Sequence, residues 1–400
     1  MLHAVVTYAL MNLDVIQSSL RELQIPAWLL YDFHACNPIA RHIAGLGPER
    51  FATRRWFGLL PQTGEPIWLH HAIEAHLFAD LPGRRIPFVS YRELNEKLRE
   101  ILKGFDRVAM EYAPAGVIPY ISRVDAGTIE MVRAAGPQVV SSADLVQYCE
   151  ARWSAEGLAS HRRAAQGLRE VLQATFKEVA TAVGAGREPS EYAVQQFMMS
   201  QYKERGLFAD PPIVAVNAHA GNPHYEPRER DSAPIRRGDL LLLDLWCREE
   251  PEGSIWADIT WMAYLGAKVP DKPREIWDIV AGARDAAVAF LRESVARGKR
   301  VRGSEVDEVS RAHVRDRGYA ERFLHRTGHS IGFEVHGNGC NIDSLETIDE
   351  RQLIPRTGFS IEPGIYLPEF GVRSEIDVYL DERSVEVTTA VQDQIVPLLA

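Results

Sequence analysis

Leu240-Leu241-Leu242-Leu243-Asp244-Leu245-Trp246 is an apolar run broken once, by a carboxylate. A run of this length and composition predicts a strand buried on both faces. Burying an unpaired carboxylate costs on the order of several kcal/mol, so something positive must compensate Asp244. Four more potential ligands stand in apolar or glycine-flanked segments. They are Asp258 in Trp256-Ala257-Asp258-Ile259-Thr260, His329 in Thr327-Gly328-His329-Ser330-Ile331, Glu362 before Pro363-Gly364, and Glu375 in Gly371-Val372-Arg373-Ser374-Glu375-Ile376-Asp377-Val378.

Strand alternation across the last of these segments places Arg373, Glu375 and Asp377 on one face and Val372, Ser374 and Ile376 on the other. Asp258 shares a face with Thr260, and the Pro363-Gly364 turn can aim Glu362 sharply. Four carboxylates and one imidazole are too acidic a set for a single structural zinc. They suit two divalent ions that share bridging carboxylates. Oxygen-rich ligation favours hard ions, Mn(II) first, with Co(II), Zn(II) or Fe(II) as alternatives. Such a pair activates water and polarises a scissile carbonyl at neutral pH. His325, His329 and His336 follow at spacings of 4 and 7 among glycines that allow close backbone approach, and His224 lies in a Pro- and Gly-containing loop before the first ligand strand.

Outward from these segments, strands are expected at 213–216, 257–264, 359–362, 372–380 and 385–389. A long helix is expected over 154–183, closed by Gly184-Ala185-Gly186, with Pro189-Ser190-Glu191 opening the next one, and further helices at 272–296 and 305–316. Helices over one face of a curved, mainly antiparallel sheet satisfy this order and make an α+β domain. Before it, strands at 27–31, 67–70, 107–112 and 138–141 alternate with helices at 15–23, 91–102 and 143–151, the rhythm of a compact α/β domain. With 400 residues, two domains are expected, 1–152 and 153–400.

Net charge is −10 with Lys and Arg spread throughout, which argues against nucleic acid or an anionic membrane as the main partner and favours small molecules or peptides. Cys36, Cys149, Cys247 and Cys340 stand far apart without a Cys-x-x-Cys pair, so no disulfide framework is expected and a reducing cytoplasm fits. The opening stretch 1–11 has no basic region or clear cleavage site, and no later stretch reaches the roughly 18 to 20 apolar residues of a membrane span. His70, His71 and His76 form a second histidine cluster, lack matching carboxylates and read as surface residues. Glu249-Glu250-Pro251-Glu252-Gly253 reads as a solvated hairpin tip.

The ordered Asp, Asp, His, Glu, Glu set, the three-histidine run, Ile361-Glu362-Pro363-Gly364-Ile365-Tyr366 and Gly371-Val372-Arg373-Ser374-Glu375 resemble the pita-bread metallopeptidases. These include methionine aminopeptidase, aminopeptidase P and prolidase, and the resemblance, over residues 155–400, is to the proline-specific branch. The part before it is similar to a creatinase-type domain in length and rhythm. The resemblance implies a pita-bread catalytic domain that removes an N-terminal residue from a following proline, as an Xaa-Pro aminopeptidase or Xaa-Pro dipeptidase. It implies Asp244 on one metal, Asp258 and Glu375 bridging, and His329 with Glu362 on the other. Glu362 would handle the proton of the reacting water, His336 would bond the peptide near the reacting carbonyl, and His224 and His325 would line the pocket for the residue after the scissile bond. Arg373 would orient carboxylates or substrate. A homodimer is implied as well.

Two other readings share the scaffold: a creatinase-like hydrolase of a non-peptide C–N bond, and a noncatalytic peptide-binding member. The full ligand set weighs against both, since creatinase works without the metal cluster. Departures from the family pattern bear on substrate choice. Trp246 stands where many relatives have glycine, Trp261 where arginine is common, and His336 precedes Gly337-Asn338-Gly339 rather than an acidic residue and proline. Asp258 follows Asp244 by 14 positions, an enlarged hairpin. Both tryptophans flank ligand strands and are expected either in the core or in a pocket wall.

Overall fold

The structure, a computed structural model, describes residues 11–47, 49–251 and 253–399. Most of the opening stretch and Glu252 at the acidic hairpin tip therefore lie outside the described residues. The chain divides into two compact units, Met1–Glu150 and Ala151–Ala400.

In the first unit the strands are β1 (Ala27–Asp32), β2 (Trp56–Pro61), β3 (Ile67–His71), β4 (Arg84–Phe88), β5 (Arg107–Met110) and β6 (Gln138–Ser141). They form one mixed sheet in the order β4-β3-β2-β1-β5-β6, with β1–β2 and β2–β3 antiparallel and the other pairs parallel. Helices α1 (Leu13–Glu22), α2 (Pro38–Ile43), α3 (Tyr91–Leu102), α4 (Ala126–Ala134) and α5 (Ala143–Val146) accompany it. Alternation along β1 feeds two cores: Trp28 and Leu30 pack with Trp56, Trp68 and Phe78, while Leu29 and Tyr31 pack with Phe57, Leu94 and Leu98. One sequence expectation fails here. His70 is only 2% exposed, stacked on Phe78 with ring centroids 5.1 Å apart, because its position on β3 turns it into the first of these cores.

The second unit opens with helices α6 (Ala155–Gly184) and α7 (Glu191–Glu204), each started by a serine whose hydroxyl accepts a backbone N–H: Ser154 from Gly157 at 2.9 Å, Ser190 from Ala193 at 3.1 Å. Strands β7 (Leu207–Phe208), β8 (Ile213–Val216), β9 (Leu240–Glu249) and β10 (Ala257–Tyr264) follow, then α8 (Asp271–Ala296) and α9 (Gly303–Arg315). The chain closes with β11 (Ser330–Ile331), β12 (Thr357–Ile361), β13 (Gly364–Tyr366), β14 (Gly371–Arg373), β15 (Ile376–Leu380), β16 (Val385–Val387) and β17 (Val396–Pro397). One sheet runs β17-β10-β9-β7 with β8 also on β9, a second runs β11-β12-β15-β16, and β13 pairs β14. All these pairings are antiparallel except β10–β17.

The expected strand over 372–380 is divided. Ser374 and Glu375 fall between β14 and β15, and Ser374 N donates to Pro363 O instead of to a ladder partner. The two sheets are joined at this break, where Glu375 N donates to Thr260 O at 3.4 Å and Asp258 N to Asp377 Oδ2 at 2.8 Å.

Burial on both faces of β9 explains its near-continuous apolar sequence. Leu241, Leu243, Leu245 and Cys247 pack under α6 with Leu168, Val171 and Leu172. On the other face Leu240 and Leu242 meet Trp277 and Val280 of α8. Asp244 and Trp246 continue that second face, Asp244 opposite Thr260 and Trp246 against a separate apolar cluster.

Candidate metal centre

Asp244 and Thr260 are direct partners across β9 and β10, and Trp246 lies opposite Asp258. The divided strand brings Arg373 and Glu375 to the same place: Thr260 Oγ1 donates to Glu375 Oε2 at 2.8 Å and accepts from Arg373 Nε at 3.0 Å. From the other sheet, His329 N donates to Ser360 Oγ at 3.0 Å, and Ser360 Oγ donates to Glu362 Oε1 at 3.2 Å. Gly328 makes this approach possible, since a Cβ there would lie 1.9 Å from Ser360 O.

Ligand atoms of Asp258, His329 and Glu375, all buried, lie within 4.8 Å of one another. His329 Nε2 is 3.7 Å from Asp258 Oδ2 and 3.4 Å from Glu362 Oε1. Asp244 is turned to Arg373, whose Nη2 donates to its Oδ2. Four expected ligands thus converge, and the fifth is held at their edge by the guanidinium.

Removal from water drives the carboxyls of Asp258 and Glu375 well above the ordinary range, and repulsion from the neighbouring carboxylates adds to it. Glu362 is pushed up to about 7, chiefly by burial, with Arg373 opposing. His329 is held well below the usual imidazole range by desolvation and then by His336, so it is neutral. Its Nδ1 faces Ser330 O at 3.2 Å and must carry the proton, which leaves the Nε2 lone pair directed at carboxylate oxygens. Such a group is satisfied either by protons on the carboxyls or by a cation between them. Asp258 Oδ1, buried and without a hydrogen-bond partner, makes the same demand. The residues fit divalent metal.

The other expected site residues ring this centre. His325 Nε2 and Arg373 Nη1 both meet Tyr366 Oη, at 2.7 and 2.9 Å, and His325 is lowered to about 3 by desolvation and then by Arg373. His336 stands edge-on to His329 with centroids 4.3 Å apart and is held below the ordinary histidine range by partial desolvation, then by Arg326 and His224. His224 is exposed, near enough for its charge to act on His336. Trp246 and Trp261 are each half-buried, packed against separate apolar clusters.

The model of metallopeptidase family M24 matches residues 159–382. The chain belongs to this family. It is similar to the Xaa-Pro dipeptidase of Lactobacillus delbrueckii subsp. lactis, 36% identical over 164 residues, which are 41% of this chain and 40% of that protein. The Xaa-Pro dipeptidase of Pyrococcus furiosus is 29% identical over 213 residues, 52% of this chain and 56% of its own length. The chain thus spans about half the length of these curated relatives. Among solved structures, dipeptidase PepE from Mycobacterium ulcerans superposes with a TM-score of 0.71 at 20% identity, covering 97% of both chains. The fold is the pita-bread fold expected of M24.

Sequence reasoning missed Tyr366 and Ser360 as organisers of the site, although Tyr366 lies in a quoted motif and Ser360 two positions before Glu362. Asp377, expected on the charged face as a possible partner of Arg373, instead accepts from Asp258 N, a contact between sheets that no local pattern encodes.

Proposed function

We propose that this chain is a dinuclear metal-dependent exopeptidase that hydrolyses the bond between an N-terminal residue and a following proline. The observation that carries this reading is the close group of potential ligands, with Asp258, His329 and Glu375 buried together and Glu362 against His329. Xaa-Pro dipeptidases among the M24 relatives supply the substrate class.

In this reading Asp244, Asp258, His329, Glu362 and Glu375 would hold the ions, with Asp258 and Glu375 shared between them. When bound, the ions supply an activated water and a Lewis acid for the scissile carbonyl. The carboxylate-rich set favours Mn(II). Glu362, bonded by Ser360, would take and return the proton of the reacting water. His336, neutral and beside His329, bonds the peptide near the reacting carbonyl. His325, fixed by Tyr366, lines the proline pocket with His224, and Arg373 orients Asp244. Residues 1–152 form a creatinase-type domain, the protein is a cytoplasmic homodimer, and the partner is a peptide with proline second.

The test is incubation of Mn(II)-loaded protein with Xaa-Pro dipeptides and Xaa-Pro-Xaa peptides. Metal-dependent release of the first residue is expected, and the peptide-length series separates dipeptidase from aminopeptidase. No release from either class rejects the peptidase reading. Chelation-resistant turnover of a small amidino compound would install the creatinase-like one.

A further inference from the structure

Glu191, the first residue of α7, is completely buried and serves none of the roles assigned above. Its Oε1 accepts from Val216 N at 2.8 Å, and its Oε2 accepts from Ala233 N at 2.8 Å and from Tyr225 Oη at 2.6 Å. His219 Nδ1 lies 2.9 to 3.0 Å from both oxygens, and its ring stacks on Tyr225 with centroids 4.4 Å apart. The backbone joins in, with Glu191 N donating to Ala233 O at 3.0 Å. One carboxylate therefore closes both ends of the segment that runs from the end of β8 to residue 233, and grips two side chains within it.

That segment carries His224, next to Tyr225. Its first turn, Asn217–Gly221, is pressed against the β13–β14 hairpin that leads into Arg373 and Glu375. The approach is backbone to backbone: a Cβ on Gly371 would lie 1.8 Å from Ala220 O, and one on Gly221 would lie 2.7 Å from Leu367 O. The segment is thus seated on the hairpin at one side and tied to Glu191 at the other, and its exposed histidine lies within electrostatic reach of His336.

We propose that Glu191 is a positioning residue for substrate binding, acting through the 216–233 segment to hold His224 over the pocket. The proposal rests on the reading of His224 as a substrate contact. Glutamine cannot replace the carboxylate, because it offers one acceptor oxygen where donors approach two, and its amide would face N–H or O–H groups.

Two measurements on the full, Mn(II)-loaded protein test this. The first is amide hydrogen exchange, which is independent of turnover. Glu191→Gln is expected to speed exchange in residues 216–233 at least roughly tenfold while leaving β9 and β10 unchanged. Unchanged exchange in 216–233, or faster exchange throughout the second unit, overturns the clamp.

The second is a kinetic cycle with an Xaa-Pro substrate. Glu191→Gln is expected to lower kcat/KM roughly tenfold, mostly through KM, and Tyr225→Phe to lower it less. In a His224→Ala background Glu191→Gln should add almost nothing. A loss in kcat alone, or losses that multiply, overturns action through His224. A wild-type protein without turnover refutes the proposed function, and hydrogen exchange still decides on the clamp.

Discussion

Arg373 and Asp244 form a buried ion pair between β14 and β9, and the same guanidinium also reaches Thr260 and Tyr366. Breaking such a pair from one side leaves a charge without compensation, which costs about 3 to 5 kcal/mol. Arg373→Ala should therefore be destabilised by about that much in chelator, and Mn(II) should recover part of the loss by drawing on Asp244. Urea unfolding with and without the ion measures both. A loss under about 1 kcal/mol would mean that water reaches Asp244 freely.

Asp258 and Glu375 repel one another in a place that disfavours either charge. With the ions chelated away, Asp258→Asn and Glu375→Gln should each raise stability by about 1 to 3 kcal/mol. Mn(II) at a hundredfold its Kd should stabilise the wild type by about 2.7 kcal/mol and both variants much less. Thermal melts in the two buffers give the comparison, and a wild-type melt indifferent to Mn(II) contradicts the metal centre.

In the first unit, Glu111 is buried and pushed up to about 7, mainly by loss of water, against bonds from Trp28, Asn37 and Ser142. A carboxyl raised in the folded state favours folding fully below its unfolded pKa of about 4.5, and that contribution is lost as pH rises through about 7. Glu111→Gln does not titrate. Relative to the wild type, its stability should improve between about pH 4.5 and 7, by up to about 3 kcal/mol, and stay level above. Denaturant titrations across that range check the difference; a flat difference shows that Glu111 is not desolvated.

Gly328→Ala places a methyl group against Ser360 O, where the Cβ would stand 1.9 Å away. The backbone must retreat, taking with it the bonds between residues 329 and 360. A loss of about 2 to 4 kcal/mol is expected, along with weaker Mn(II) uptake by calorimetry. Uptake at wild-type affinity would show that His329 tolerates the shift.

Much of the second unit was legible because its signals are local. Ser154 and Ser190 cap the helices they were expected to open, and the β9 run and the 213–216 and 257–264 strands needed only hydrophobic pattern. The first unit was harder. Strand β4, Arg84-Arg85-Ile86-Pro87-Phe88, carries charge and a proline that only an edge position tolerates, and nothing nearby in sequence announces that it is an edge. The misplaced His70 has the same origin, since its burial is decided by Phe78 closing over β3. At the site, residue types were readable, but the break at Ser374-Glu375, the Arg373–Asp244 pair and the Glu191 clamp each depend on which strand lies opposite.

Thr260 and Glu375 touch although they are 115 residues apart, and Asp258 and Asp377 are 119 apart. Contacts of such separation form only after most of the loop-closure entropy has been overcome. A chain still emerging from the ribosome, or one clipped behind β13, contains Asp244 and Asp258 but lacks Glu375. Under the proposed function, the full ion site would therefore be assembled only once nearly the whole polypeptide has been made.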